Sequence, residues 1–400
     1  MDRKSITTSR NLINLLKYFG PAWLVMMADM DASSTIGAVE TGIRFGYKLV
    51  WFLLLLSIPL FLIQEVSGRI GVVTGKGLGE VIRENYSKRV AILLTMPMFL
   101  TDVVTYVIEY LGIGIGLTIL GIPLIIGIPF AFLLHLIIVM KKKYVITERI
   151  LLAVSSILII GFVATLVIRG INPSCPIFYF NPTSSYLFFL AVNAGAVIMP
   201  FMLFFQASAT AEKLGCLKKY EKEEALYEMR LETLVGSIVT EVLMVIVEMA
   251  STGLPDSLDV YSPNDLAHAF SAIAGPYSPY LFGIGLIGAA FLALVVISLG
   301  SAWGTAEALG IPRNRSLWLY LVESIPAVII SLLVPMDMLG NLVLDLLSYF
   351  TIIIIGPVIV MGLIANNSKI MGKYKNSAIQ NILYWVSALI VFTLGIISIL

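Results

Sequence analysis

The chain has 400 residues, 58% of them hydrophobic and only 13% charged, with a formal net charge of +1 and a mean hydropathy of +0.95. Soluble domains carry roughly 25% charged residues, so this composition excludes a soluble globular protein and points to one embedded in a membrane. The near-neutral balance offers no basic surface for nucleic acid, and two cysteines cannot build a disulfide framework.

A bilayer core of about 30 Å needs roughly 20 apolar residues per helix, and apolar runs separated by short polar loops fill nearly the whole sequence. In chain order we expect eleven spans, over about 17–43, 47–70, 91–119, 122–140, 149–169, 184–209, 230–251, 277–305, 317–335, 338–364 and 379–399. Arg3, Lys4, Arg10 and Lys17 lead into a Gly-Pro and acid-containing span without a small-residue cleavage site, so the first span is expected to be retained. With the N-terminus cytoplasmic, Arg44, Lys48 and Arg169 are the only Lys or Arg residues outside, leaving 23 of the 26 inside. The positive-inside rule then puts the N-terminus in the cytoplasm of a cell-membrane protein and the C-terminus outside. Cys175 and Cys216 fall on opposite faces and cannot pair.

Two long polar stretches interrupt the pattern. The inner one, 211–230, mixes Lys218, Lys219 and Lys222 with Glu221, Glu223 and Glu224 and reads as a charged helical connector. The outer one, 251–279, holds acids and no Lys or Arg, and reads equally as a lid, a linker or a cation-attracting mouth.

Spans 1 and 6 are each interrupted near the middle, by "DMDASS" at 29–34 and "GAVIMP" at 195–200. Five spans separate the breaks, which predicts two five-helix repeats, about 17–169 and 184–364, with an additional helix at 379–399. An odd number of spans inverts the second copy, and in such folds the broken helices meet at a binding site near the bilayer midplane. The expected fold is therefore a single all-α transmembrane domain of the LeuT-like kind, with helices 1 and 6 unwound.

An ionised side chain at the bilayer centre costs about 2.5–3.5 kcal/mol on insertion scales, yet acids recur within these spans: Asp29, Asp31, Glu65, Asp102, Glu109, Glu241, Glu248, Glu323 and Asp345. Bases appear only near span ends, so protons or metal cations are the expected counter-charge. Asp102 with Glu109, and Glu241 with Glu248, lie two helical turns apart and share a face. Together with Asp29 they are candidates for a proton or cation pathway, although a structural role stays open for each. His135, alone on an apolar helix, reads as structural. In the second break Pro200 cannot donate to the helix ladder, so carbonyls near Ala196 can face a ligand. Met199 adds a soft thioether, which together with carboxylates selects transition metals over hard cations.

These segments resemble the NRAMP family of divalent metal-ion transporters. "GPAWLVMMADMDASSTIGAVETGIRFGYKLVW" at 20–51 is similar to the family's first helix and following turn, and 62–86 and 195–204 continue the likeness. The family's first break reads Asp-Pro-Gly-Asn, and the resemblance places Asp31 at the metal-binding aspartate and Ser34 at the liganding asparagine. The second break reads Met-Pro-His, so Met199 and Pro200 match, the Ala196 carbonyl falls at a backbone ligand, and Phe201 replaces the histidine tied to proton handling. In span 3, Glu109 matches a family glutamate, whereas Tyr106 replaces the acid before it. Asp345 lies within one residue of a span-10 ligand and is carried as a fifth metal contributor.

The resemblance implies a secondary-active transporter for Mn2+ or Fe2+, with the metal as substrate, no cofactor, and proton coupling open because two parts of the usual route are missing. Related magnesium transporters are the alternative, ranked second because Met199 is retained. A LeuT-like symporter for an organic solute ranks lower, because Asp31 would repel a substrate carboxylate. No nucleophile and base cluster in an aqueous loop to make an enzyme, and the oligomeric state stays open.

Overall fold

A computed structural model describes residues 19–140, 144–171, 176–217, 221–335, 338 and 340–399. Cys175, Lys218, Lys219 and the basic residues before Phe19 lie outside the described residues. Every regular element among those described is helical. In chain order they are α1 (Pro21–Ala28), α2 (Ala32–Phe45), α3 (Val50–Thr74), α4 (Leu78–Asn85), α5 (Lys88–Ile119), α6 (Leu124–Val139) and α7 (Tyr144–Arg169). After these come α8 (Ser184–Val197), α9 (Pro200–Gly215), α10 (Lys222–Ser251), α11 (Pro263–Ala274), α12 (Ser278–Leu309) and α13 (Leu317–Leu333). The last are α14 (Gly340–Ile353), α15 (Ile355–Asn366), α16 (Ser368–Met371) and α17 (Ala378–Ile399).

Among the described residues, 8 stretches are long and apolar enough to cross a membrane, counting α8 with α9 and α14 with α15 as one each. The apolar helices α6 and α13 are shorter, and the first span is divided into α1 and α2. The chain is a multi-pass membrane protein. The charged stretch 211–230 does not form a helix of its own: its first part completes α9, and residues 222–230 are the opening turns of α10. The stretch 251–279 carries a short amphipathic helix, α11, started by Ser262, whose hydroxyl accepts from Asp265 N.

Packing follows small residues, as expected where lipid supplies no hydrophobic drive between helices. α12 is the central post and lies against α5, α7 and α9. A methyl at Gly161 would come within 2.7 Å of Gly285 Cα, and one at Gly300 within 2.7 Å of the Phe201 carbonyl. α2 packs on α10 while α9 packs on α3, and α5 packs on α12 while α3 packs on α10. The first two contacts exchange under a five-span shift, and each of the other two maps onto itself.

Both breaks have local causes. The first covers Asp29–Asp31, with Asp31 extended (φ −73°, ψ −178°) as the N-cap of α2. The small residues Ala32, Ser33 and Ser34, which the sequence places in the unwound stretch, instead form the first turn of α2. Aspartate is a strong N-cap because its side chain satisfies N–H groups of that turn. The second break is Ile198 and Met199, both extended, and Pro200 opens α9. Gly195, Ala196 and Val197 complete the last turn of α8, so here too the break is shorter than expected.

The candidate cation site between the helix breaks

Asp31 Oδ1 accepts from Ser34 N and from Ser33 Oγ, each at 2.7 Å, while Oδ2 has no partner. The Ser34 hydroxyl crosses to the other break and donates to the Ala196 carbonyl at 3.1 Å. That carbonyl is free to accept because Pro200, four residues on, has no N–H. Ser34, Asp31, Ala196 and Met199 are all buried. At Met199 the backbone N–H donates to the Met202 thioether at 3.4 Å, and the two methionine side chains reciprocally cap the first turn of α9. The Met199 thioether is a weak acceptor there and keeps capacity for a soft metal.

Glu109 joins from α5. Its Oε2 accepts from Ala32 N at 3.0 Å, its carboxyl lies beside Asp31, and Oε1 is unpartnered. The resulting group offers carboxylate, hydroxyl, carbonyl and thioether, with no Lys, Arg or His among the hydrogen-bond partners of either acid. Buried negative charge without a base is compensated by a proton or by a bound cation. Close backbone approach fixes the geometry: at Gly195 a methyl would collide with the Leu347 carbonyl and meet Thr351 at 3.4 Å.

Asp345 does not join this group. It is exposed on α14, and its recorded contact is a backbone carbonyl accepting from Ser348. The face of α14 turned to the breaks carries Leu347, whose side chain would lie 3.1 Å from a methyl at Gly37. Two positions away is about 200° around a helix, which turns Asp345 to the opposite side. Glu65 is a second correction, since the expected unpaired acid is bonded to Arg69 at 3.1 Å and to Arg230 at 2.7 Å.

The remaining acids separate into distinct places. Asp29 lies beside Glu241 of α10. Glu248, two turns further along α10, lies near the Leu49 backbone. Asp102 does not accompany Glu109; it lies beside Ser301 of α12 and Glu323 of α13, and the Ser301 hydroxyl donates to Glu323. Phe201, where the family histidine would stand, is buried with its carbonyl close to Gly300. Tyr106 donates to Ser298 Oγ at 2.7 Å, and Ser298 donates to the Leu294 carbonyl at 2.5 Å. With the Ser298 hydrogen so used, His135 Nε2 donates to Ser298 at 2.7 Å and Nδ1 accepts from Tyr110 at 3.1 Å. His135 is therefore a neutral ring with both nitrogens satisfied.

Sequence reasoning passed over a latch at the N-terminal end of α1. Glu232 accepts from Gly20 N at 2.7 Å and Trp23 N at 2.6 Å, taking up N-terminal donors that a helix leaves free. Lys213 donates to the Phe19 carbonyl at 2.5 Å and pairs with Glu148. Gly20 at φ 147° makes the turn into Pro21. The signal was present in the Gly20-Pro21 helix start, but its partners come from three other helices.

Two broken helices meeting at a buried, cation-ready group define a membrane transporter of the broken-helix class. The model of the family described as Nramp, natural resistance-associated macrophage protein-like, matches residues 22–400. The chain belongs to the Nramp family. It is 27% identical over 417 aligned residues to the divalent metal cation transporter MntH of Pediococcus pentosaceus, covering 96% of this chain and 92% of that relative. MntH of Bacillus subtilis is 25% identical, with 97% and 92% covered. Among solved structures, a manganese transporter of Eremococcus coleocola superposes with a TM-score of 0.80 at 18% identity, over 96% of this chain and 86% of that one. MhsT in complex with L-phenylalanine superposes with a TM-score of 0.52 at 13% identity, over 96% and 97%. The fold is LeuT-like.

Proposed function

We propose that this protein is a divalent metal cation transporter that works by alternating access and favours Mn2+ or Fe2+. The observation that carries the reading is the Ser34 to Ala196 hydrogen bond of 3.1 Å, which joins the two breaks beside the capping carboxylate of Asp31. Asp31, Ser34, the Ala196 carbonyl and the Met199 thioether are the proposed ligands, and Asp345 is left out because it is exposed on the far side of α14. The names of the MntH relatives and of the manganese transporter support the substrate class. The thioether supports a transition metal over Mg2+, which remains the alternative because a serine stands where the family has an amide.

The proposal includes eleven crossings: the 8 long stretches, the shorter α6 and α13, and the divided first span. It also includes repeats over about 17–169 and 184–364, a cytoplasmic N-terminus and an outside C-terminus. The exchange of packing between α2 on α10 and α9 on α3 supports the repeats. The test is uptake into proteoliposomes with Mn2+, Fe2+, Mg2+ and Ca2+ compared, and a pH dye inside. Mn2+ uptake that falls to background in Asp31→Ala is expected. Unchanged uptake in that variant would sink the site, and Mg2+ uptake undiminished by excess Mn2+ would reverse the choice of metal.

A further inference from the structure

Two carboxyls of the broken-helix region lie outside the ligand set. Asp29, in the first break, is 1% exposed, and Glu241 of α10 is fully buried beside it. Neither oxygen of Glu241 has a hydrogen-bond partner, and the one side-chain hydroxyl that meets Asp29 is that of Thr240. No ion pair involves either residue among those described, whereas Glu65, Glu148 and Glu307, also buried acids, each hold a Lys or Arg.

Thr240 is a separate observation that points the same way. On α10, Thr233 and Ser251 donate their hydroxyls to the carbonyls four residues back, at 2.7 and 2.8 Å. Thr240, equally buried, forms no such bond; its hydroxyl turns to the Asp29 carboxyl instead. A helical threonine has an acceptor on its own preceding turn, and a hydroxyl that turns to a carboxyl instead keeps its oxygen lone pairs for a cation. The backbone adds acceptors. α1 closes with Asp29 N on the Val25 carbonyl at 3.2 Å, and the carbonyls of Met26, Met27 and Ala28 receive no described backbone N–H.

We propose that Asp29, Glu241 and Thr240, completed by carbonyls at the end of α1, form a second cation position that takes a hard divalent ion of the Mg2+ and Ca2+ class. The donors named are all oxygen, which suits hard cations. Two carboxyls in a dry interior with no base are neutralised by protons or by one divalent charge, and a divalent ion balances both at once. The position is separate from the proposed metal ligands, because Asp31 spends Oδ1 on the first turn of α2 while Asp29 faces α10. An ion here ties the end of α1 to α10 and reduces the negative charge beside Asp31. Binding at this position does not depend on whether the chain transports Mn2+.

The test is equilibrium dialysis of the full-length protein in nanodiscs against 45Ca2+, with unlabelled Mg2+ as competitor, in an Asp31→Ala background that removes the proposed transport site. We expect one Ca2+ per chain to be retained, displaced by Mg2+, and lost in Asp31→Ala/Glu241→Gln. Thr240→Val should weaken binding, and Thr240→Ser, which keeps the hydroxyl, should not. Glu241→Asp provides a milder variant if the glutamine form elutes as aggregate, and a weakened but measurable affinity is expected there. Absence of Ca2+ and Mg2+ binding in Asp31→Ala, or binding indifferent to Glu241 and Thr240, overturns the proposal. Mn2+ uptake by the wild-type protein is measured in parallel, so a protein that binds Ca2+ at Glu241 but moves no Mn2+ refutes the transport reading alone.

Discussion

Lys213→Met is expected to release the N-terminal end of α1. In the intact protein the Lys213 and Glu148 side chains are 9% and 5% exposed and paired, and Lys213 also donates to the Phe19 carbonyl at 2.5 Å. Removing one member of a buried pair strands the other charge, at a cost of about 3–5 kcal/mol, whereas replacing both by neutral groups is often near neutral. At about 1.4 kcal/mol per tenfold, that cost shifts the balance between docked and released α1 by roughly two to four orders of magnitude. Glu232 holds the same turn through Gly20 N and Trp23 N, so this shift is an upper bound. The assay is alkylation of a cysteine placed at Ala22, buried in the intact protein, in a Cys175→Ser/Cys216→Ser background, alongside thermal stability in detergent. Lys213→Met should speed labelling and lower the melting temperature, and Glu148→Gln/Lys213→Met should return both close to wild type. If the single and double variants behave alike, the stranded charge is not the cause and the reasoning fails.

Ser34→Ala separates two roles of that hydroxyl. Loss of a metal ligand raises KM for Mn2+ uptake, whereas loss of a brace that merely occupies the Ala196 carbonyl lowers it; we expect a rise, and a fall would remove Ser34 from the ligand set. Met199→Ala should depress Cd2+ and Mn2+ uptake more than any Ca2+ uptake, since the thioether is the soft donor, and equal losses across metals would assign Met199 to packing. Cys216 is exposed and unpaired, and burial followed by the nearby Glu212 carboxylate pushes its thiol up. In a Cys175→Ser background, an impermeant maleimide at mildly alkaline pH should label Cys216 in inside-out vesicles only; labelling from outside would invert the proposed orientation.

Chain-local chemistry was legible without the structure. An aspartate before three small residues marks a helix start, and a proline after Met199 marks another, because N-caps and missing N–H groups act within one turn. The extent of each break was overestimated for the same reason that the breaks were visible. Alanine and serine tolerate unwinding, but once Asp31 capped the turn they had no cause to leave the helix. Hydropathy likewise located the membrane-embedded helices, since length and apolarity are properties of a single segment.

What an acid does in such a helix is decided across the bundle. Glu65 finds Arg230, Asp29 finds Glu241, Asp102 finds Ser301 and Glu323, and Glu148 finds Lys213, each from a different helix. Asp345 shows the limit most plainly: its position along the chain is near that of a ligand, but the rotation of α14 against α8 turns Leu347 inward and Asp345 out. By itself the sequence determined a membrane-embedded, broken-helix chain with carboxylate and thioether at the breaks, because those features rest on hydropathy and local backbone chemistry. Only the tertiary structure decided which carboxyls meet, which are paired and which face away, because helix rotation and packing are set by contacts between segments that are distant in sequence.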